Sequence, residues 1–168
     1  MTEEEPIAKR VGAALRERGE TVAVAESCTG GLVGSLLTDV PGSSAYFDRS
    51  VVTYSYDAKQ DALAVSREAL DAHGAVSDPV AREMARAVRD TAETDWGVAT
   101  TGIAGPTGGS PETPVGTVYI AVAHAAPWES EQSGCTVSHY EFEGSRTEVK
   151  DRIARQALSD LLTATRTQ

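Results

Sequence analysis

The chain has 168 residues, a length at which one domain buries roughly two-thirds of the surface that its unfolded form exposes. Its 25 acidic residues against 15 basic ones leave a net charge of −10, and such a surface repels phosphates, which argues against nucleic acid as a partner. No apolar run approaches the roughly 18 to 20 residues that a membrane span requires, so no membrane association is expected.

In chain order, the segment MTEEEPIAKR is acidic and lacks an apolar stretch, so it reads as neither signal peptide nor anchor, and a cytoplasmic protein is expected. Ile7, Val11, Ala14 and Leu15 form one apolar face of a first helix that ends near Gly19. ETVAVAE reads as a buried strand. From Gly30 a second helix turns Leu32, Val33, Leu36 and Leu37 inward and breaks at Pro41 and Gly42. SVVTYSY is the next strand, rich in β-branched and aromatic residues. A short helix from about Asp57 follows, then REALDAHG, where Gly74 suits a helix C-terminal cap.

Ser77, Asp78 and Pro79 open a long helix whose inward face is Val80, Met84, Ala87 and Val88, running to about Thr94. WGVATT is a short buried strand leading into GIAGPTGGSPETPVG, a loop too long for a simple turn and of a length usually tied to function or disorder. VGTVYIAVAHA and CTVSHYEF pair as strands across the segment 125–134. Ser145 and Glu148 form a capping-box pair at the start of the last helix, whose inward face is Val149, Ile153, Ala157 and Leu161. Strands alternating with helices predict an α/β fold, three α/β/α layers around a mixed, mostly parallel sheet, in a single domain spanning 1–168. The short link between the last two strands requires at least one antiparallel strand.

Chemistry concentrates at four places. In AESCTGG, Ser27 sits where a strand turns into a helix, beside the amides of Cys28, Thr29 and Gly30. Ser, Thr and Gly suit a plain helix start. The same residues also suit a nucleophile beside an oxyanion site, where unpaired helix N-terminal amides face a developing negative oxygen. A serine needs a base, and His73, His124 and His139 have no catalytic or metal-ligand spacing, so neither a metal nor a cofactor is expected. Lys59, in TYSYDAKQ, is the better candidate. The chain carries twelve arginines and only three lysines, and arginine stays protonated and cannot act as a base. The alternative is an exposed lysine at a helix start.

High acidity with little lysine also suggests adaptation to strong salt. Cys28 and Cys135 form no CxxC pair, and a disulfide between them is not expected in a reducing compartment. TTGIAGPTGG supplies Thr101, Gly102 and Gly105 after another strand end, a glycine-rich surround suited to a phosphorylated ligand although not a P-loop. Arg146, in FEGSR, stands in the first turn of the last helix. There it opposes the helix dipole unless an anion binds beside it.

Taken together, AESCTGG, DVPGSS, VVTYSYDAK, HGAVS, TGIAGPTGGSPETPVGTVY and FEGSR make the chain resemble the CinA C-terminal family from about residue 5 to 165. Its characterised members are nicotinamide-nucleotide amidases, also called NMN deamidases of the PncC type. The resemblance implies a three-layer α/β/α domain that hydrolyses the carboxamide of nicotinamide mononucleotide to nicotinate mononucleotide and ammonia without a metal. It places the nucleophile at Ser27, the catalytic lysine at Lys59 and a site threonine at Thr101, expected to bond Lys59 or Ser27. Ligand contacts are implied for Tyr54 and Arg146, the arginine at the phosphate, with Cys28, Thr29 and Gly30 providing backbone amides. Dimers or larger homo-oligomers are also implied. The sequence departs from the family at Tyr56 and Asp57, where YSNEAK is frequent, and at Thr107. Two other roles stay open at this level: a nucleotide-binding module without turnover, and an amidase for a different carboxamide.

Overall fold

The computed structural model describes residues 3–168, so the first two residues of the N-terminal segment lie outside the described residues. Five strands, β1 (Val22–Glu26), β2 (Phe47–Val52), β3 (Trp96–Gly102), β4 (Thr117–His124) and β5 (Gly134–Glu141), form one sheet in the order β2-β1-β3-β4-β5. β1 pairs in parallel with β2 and β3, whereas β4 is antiparallel to both of its neighbours. Four strands therefore run one way and β4 alone runs back, the mixed sheet that the short final link required.

Alternation along the central strands sorts side chains by size. Val22, Val24, Val98, Val118, Ile120 and Val122 face one side and pack on helices α1 (Ile7–Arg18), α2 (Leu32–Thr38) and α6 (Arg146–Arg166). Ala23, Ala25, Ala99, Ala121 and Ala123 face the other and meet α3 (Tyr56–Leu63), α4 (Arg67–His73) and α5 (Asp78–Ala92). Because Cβ atoms alternate across a strand, a VAVA pattern builds a bulky layer on one face and a thin one on the other. The thin side lets α5 lie close to the sheet: a Cβ on Gly97 would overlap the carbonyl oxygen of Ala85.

Several boundaries differ from the sequence reading. The second strand begins at Phe47 and stops at Val52, so Thr53, Tyr54 and Ser55 connect it to α3 and Tyr56 is already helical. The second helix starts at Leu32, because Gly30 and Gly31 take φ of 60° and 103°, outside helical backbone. Gly19 caps α1 in the left-handed conformation and Gly74 caps α4, both as expected, Gly74 at φ 73° and ψ 168° with its amide donating to the Leu70 carbonyl. Ser77 occupies the cap position of α5 without capping it, its hydroxyl donating instead to the Gly74 carbonyl at 2.8 Å. Ser145 does cap α6, accepting from the Glu148 amide at 3.3 Å.

Candidate active site

The three parallel strands deliver their carboxyl ends to one groove of about 270 Å³, just below the ~300–1,000 Å³ usual for ligand sites. β1 leads into Ser27 and Cys28, β2 leads into Thr53 and Tyr54, and β3 ends on Thr101 and Gly102. Ser27 extends the β1–β3 ladder by one bond, its amide donating to the Thr100 carbonyl at 3.0 Å, so the serine is held as rigidly as a strand residue.

Lys59 comes from α3. Ser55 caps that helix by accepting from the Ala58 amide at 3.0 Å, which sets the helix phase so that Lys59, one turn in, points beneath the sheet end. Its side chain is fully buried (0% exposed), and Nζ lies 2.8 Å from Ser27 Oγ and 2.7 Å from the Thr53 carbonyl oxygen, to which it donates. Among the described residues neither Lys59 nor Arg146 forms an ion pair. Burial without a counter-ion lowers the Lys59 pKa from 10.5 to about 8, only weakly opposed by Cys28. The Cys28 thiol is pushed up to about 12 by the same burial and stays protonated at neutral pH.

Arg146, at the first position of α6, donates through Nη1 to the Gly105 carbonyl at 2.6 Å and through Nη2 to the Tyr54 hydroxyl at 3.2 Å. The arginine thus ties the glycine-rich loop to the β2–α3 connection across the groove mouth. Ser27, Cys28, Tyr54, Lys59, Thr101, Gly102, Gly105 and Arg146 all line this groove, with Thr107 among the other wall residues.

Two expectations need correction. Thr101 bonds neither Lys59 nor Ser27; its hydroxyl donates to the Ala75 carbonyl at 2.8 Å and pins the 74–76 segment that forms one wall. Thr29 and Gly30 are not wall residues. The Gly30 amide is spent on the Ser27 carbonyl at 3.2 Å, which closes a tight turn and leaves it unavailable to an oxyanion. The Cys28 and Thr29 amides, by contrast, have no acceptor among the described residues. Tyr56, one of the family departures, accepts through its hydroxyl from the Ala75 amide at 3.3 Å and braces the same wall.

The sequence reading missed Glu26. It is fully buried, and its carboxylate accepts from the Thr29 hydroxyl at 2.6 Å, the Val33 amide at 2.9 Å, the Gly34 amide at 3.0 Å and the Ser50 hydroxyl. Since Thr29 gives its one proton to Glu26, the 2.9 Å contact between the two threonine hydroxyls is donated by Thr100. This network satisfies the orphan amides at the start of α2 and fixes the turn that carries Ser27. An acid closing an otherwise apolar strand, VAVAE, was the available signal.

The profile of the CinA C-terminal domain matches residues 4–165. The chain belongs to the CinA family. It is 50% identical over 156 residues to a CinA-like protein of Anaeromyxobacter sp. (strain K), covering 93% of this chain and 36% of that protein. A CinA-like protein of Chlorobium limicola is 49% identical over 154 residues, covering 91% of this chain and 35% of that protein. The chain thus spans about a third of the length of these curated relatives. Among solved structures, the competence/damage inducible protein CihA from Agrobacterium tumefaciens superposes with a TM-score of 0.88 at 38% identity, covering 97% of this chain and 98% of that one. A CinA superfamily protein from Klebsiella pneumoniae gives 0.89 at 33% identity, covering 96% and 97%. This CinA domain therefore shares the α/β architecture of the competence/damage-inducible superfamily over its whole sheet. No helix among the described residues is long and apolar enough to cross a membrane.

Proposed function

We propose that this CinA domain is a Ser–Lys amidohydrolase that converts nicotinamide mononucleotide to nicotinate mononucleotide and ammonia. The observation that carries the reading is the buried, unpaired Lys59 amine 2.8 Å from Ser27 Oγ, within reach of a general base acting on a nucleophile. In its neutral form the amine accepts the Ser27 proton through its lone pair while the serine oxygen attacks the carboxamide carbon. The amide of Cys28, which lines the groove, supplies a donor for the resulting oxyanion. Lys59 then returns the proton to the departing ammonia, and water opens the acyl-enzyme by the same relay. The base is the lysine, so the scheme needs no metal-bound hydroxide.

Arg146 and Tyr54 face the other end of the groove. With no carboxylate partner, the guanidinium is free to neutralise a substrate phosphate, and that remote contact holds the reacting amide over Ser27. The substrate is a small-molecule nucleotide, and neither nucleic acid nor membrane has a part in the reaction.

The test is ammonia release from nicotinamide mononucleotide by the wild type, Ser27→Ala and Lys59→Ala. Loss of at least about a thousandfold in both variants is expected, since nucleophile and base act as a unit. Undiminished turnover in either removes the assignment. Tight nucleotide binding by a wild type that yields no product identifies a binding module instead. Equal turnover of the nucleoside lacking the 5′-phosphate removes the phosphate contact and indicates a different carboxamide as substrate.

A further inference from the structure

Thr53 is wholly buried, and its hydroxyl has no hydrogen-bond partner among the described residues. Its backbone, by contrast, is fully engaged: the amide donates to the Glu26 carbonyl at 2.8 Å and the carbonyl accepts from Lys59 Nζ at 2.7 Å. A buried hydroxyl left unpaired costs about 1–3 kcal/mol, and an isosteric valine would avoid that cost. An unsatisfied group of this kind beside a reacting pair calls for a role that the resting arrangement does not display.

Counting protons on Lys59 supplies one. The neutral amine has two N–H bonds and a lone pair; the ammonium formed when the Ser27 O–H bond breaks and a new N–H bond forms has three donors and no acceptor. Two of its neighbours are the Ser27 oxygen and the Thr53 carbonyl. Lys59 has no third hydrogen-bond acceptor among the described residues. The unpaired Thr53 hydroxyl belongs to the residue whose carbonyl already holds the amine.

We propose that Thr53 is a positioning residue for the proton-transfer step, its hydroxyl accepting the third N–H of Lys59 once the lysine has taken the Ser27 proton. The hydroxyl keeps its own proton throughout, so no atom is exchanged. This rests on the Ser–Lys reading above, and it adds a residue whose role is to stabilise the protonated base. The other charged or titratable groups around the lysine are the Cys28 thiol from the β1–α2 turn, Glu26 behind that turn with its own four donors, Tyr54 beside Thr53, and Arg146 from α6 at the groove mouth.

The experiment compares Thr53→Val and Thr53→Ser with the wild type by three measurements. Thermal melting comes first: Thr53→Val should melt at the wild-type temperature or above it, because a methyl replaces an unpaired hydroxyl. The second is titration of Lys59 by NMR of lysine-labelled protein, which is simplified by there being only three lysines. The valine should titrate at lower pH than the wild type, because its ammonium has lost an acceptor, and the serine should restore the wild-type value. The third is the pH–rate profile with nicotinamide mononucleotide, in which the valine should lose about tenfold in kcat with KM unchanged and an acid limb displaced to lower pH.

An unchanged Lys59 titration in Thr53→Val overturns the inference, as does a lost activity accompanied by a fall in melting temperature. The titration does not depend on turnover. A wild type that releases no ammonia therefore removes the amidase reading while the Thr53 contact is still decided.

Discussion

Lys59 shows how one buried side chain couples stability to activity. Its pKa falls from 10.5 to about 8 because burial penalises the ammonium. Above pH 10.5 the folded and unfolded chains both carry a neutral amine and no penalty arises. As pH falls from 10.5 to 8 the unfolded lysine takes up a proton that the folded one does not, so stability drops; below 8 the full cost, on the order of 3 kcal/mol, persists. Lys59→Met has no such titration. Relative to that variant, the wild type should gain on the order of 3 kcal/mol between pH 7 and 10.5, measurable by urea denaturation at the two pH values. The same titration should govern turnover, which rises with pH to half its plateau near pH 8. A flat profile from pH 6.5 to 9.5 would show that another group is the base. If Arg146 holds the substrate phosphate as proposed, Arg146→Ala should raise KM at least about tenfold with little change in kcat, since that contact would lie away from the reacting amide.

At the scale of elements, the site depends on how closely helices approach the sheet ends. The start of α2 is held by the Glu26 carboxylate, so Glu26→Ala leaves two amides and two hydroxyls without an acceptor in a fully buried place. A loss of about 3 kcal/mol or more is expected in chemical denaturation. Glu26→Gln keeps one acceptor oxygen and should lose less. On the opposite face, α5 lies so near β3 that Gly97→Ala must push the Ala85 carbonyl and Arg89 away. Overpacking of this kind costs about 1–3 kcal/mol, and the same denaturation assay reads it. Neither element touches substrate, yet each sets the depth at which Ser27 or the 74–76 wall stands.

Over the whole molecule, the balance of 25 acidic to 15 basic residues makes self-repulsion a general term in stability. The ion pairs are mostly between near neighbours in sequence, such as Lys9–Glu5, Arg67–Asp71 and Arg155–Asp151, with side chains about half exposed or more. Pairs of that kind contribute little and do not offset repulsion across the surface. Raising salt from 0.1 to 1 M shortens the screening length from about 10 to about 3 Å. The melting temperature should therefore rise by several degrees over that range, and a fall would show that the local pairs outweigh the general repulsion. Within this acidic field the groove mouth holds Arg146, which forms no ion pair among the described residues and so makes a local positive point.

Periodicity alone fixed most of the architecture. The VAVAE alternation, the apolar stripe of the last helix and the Ser145 cap are local, short-range patterns, and local patterns survive into the fold because burial of one face is what selects them. The residue types in AESCTGG, the single lysine of TYSYDAK and the glycine-rich stretch after Thr101 likewise marked the site while still scattered along the chain. Only the tertiary structure decided which of them meet. Tyr54 reaches Arg146 across 92 residues of sequence, Thr101 turns from the serine to Ala75, and Gly30 spends its amide on the Ser27 carbonyl. The acid of AESCTGG proved to be the anchor of the turn and Thr53 the acceptor for the lysine, because hydrogen-bond partners are set by how strand ends and helix starts are brought together in space, which no spacing along one segment encodes.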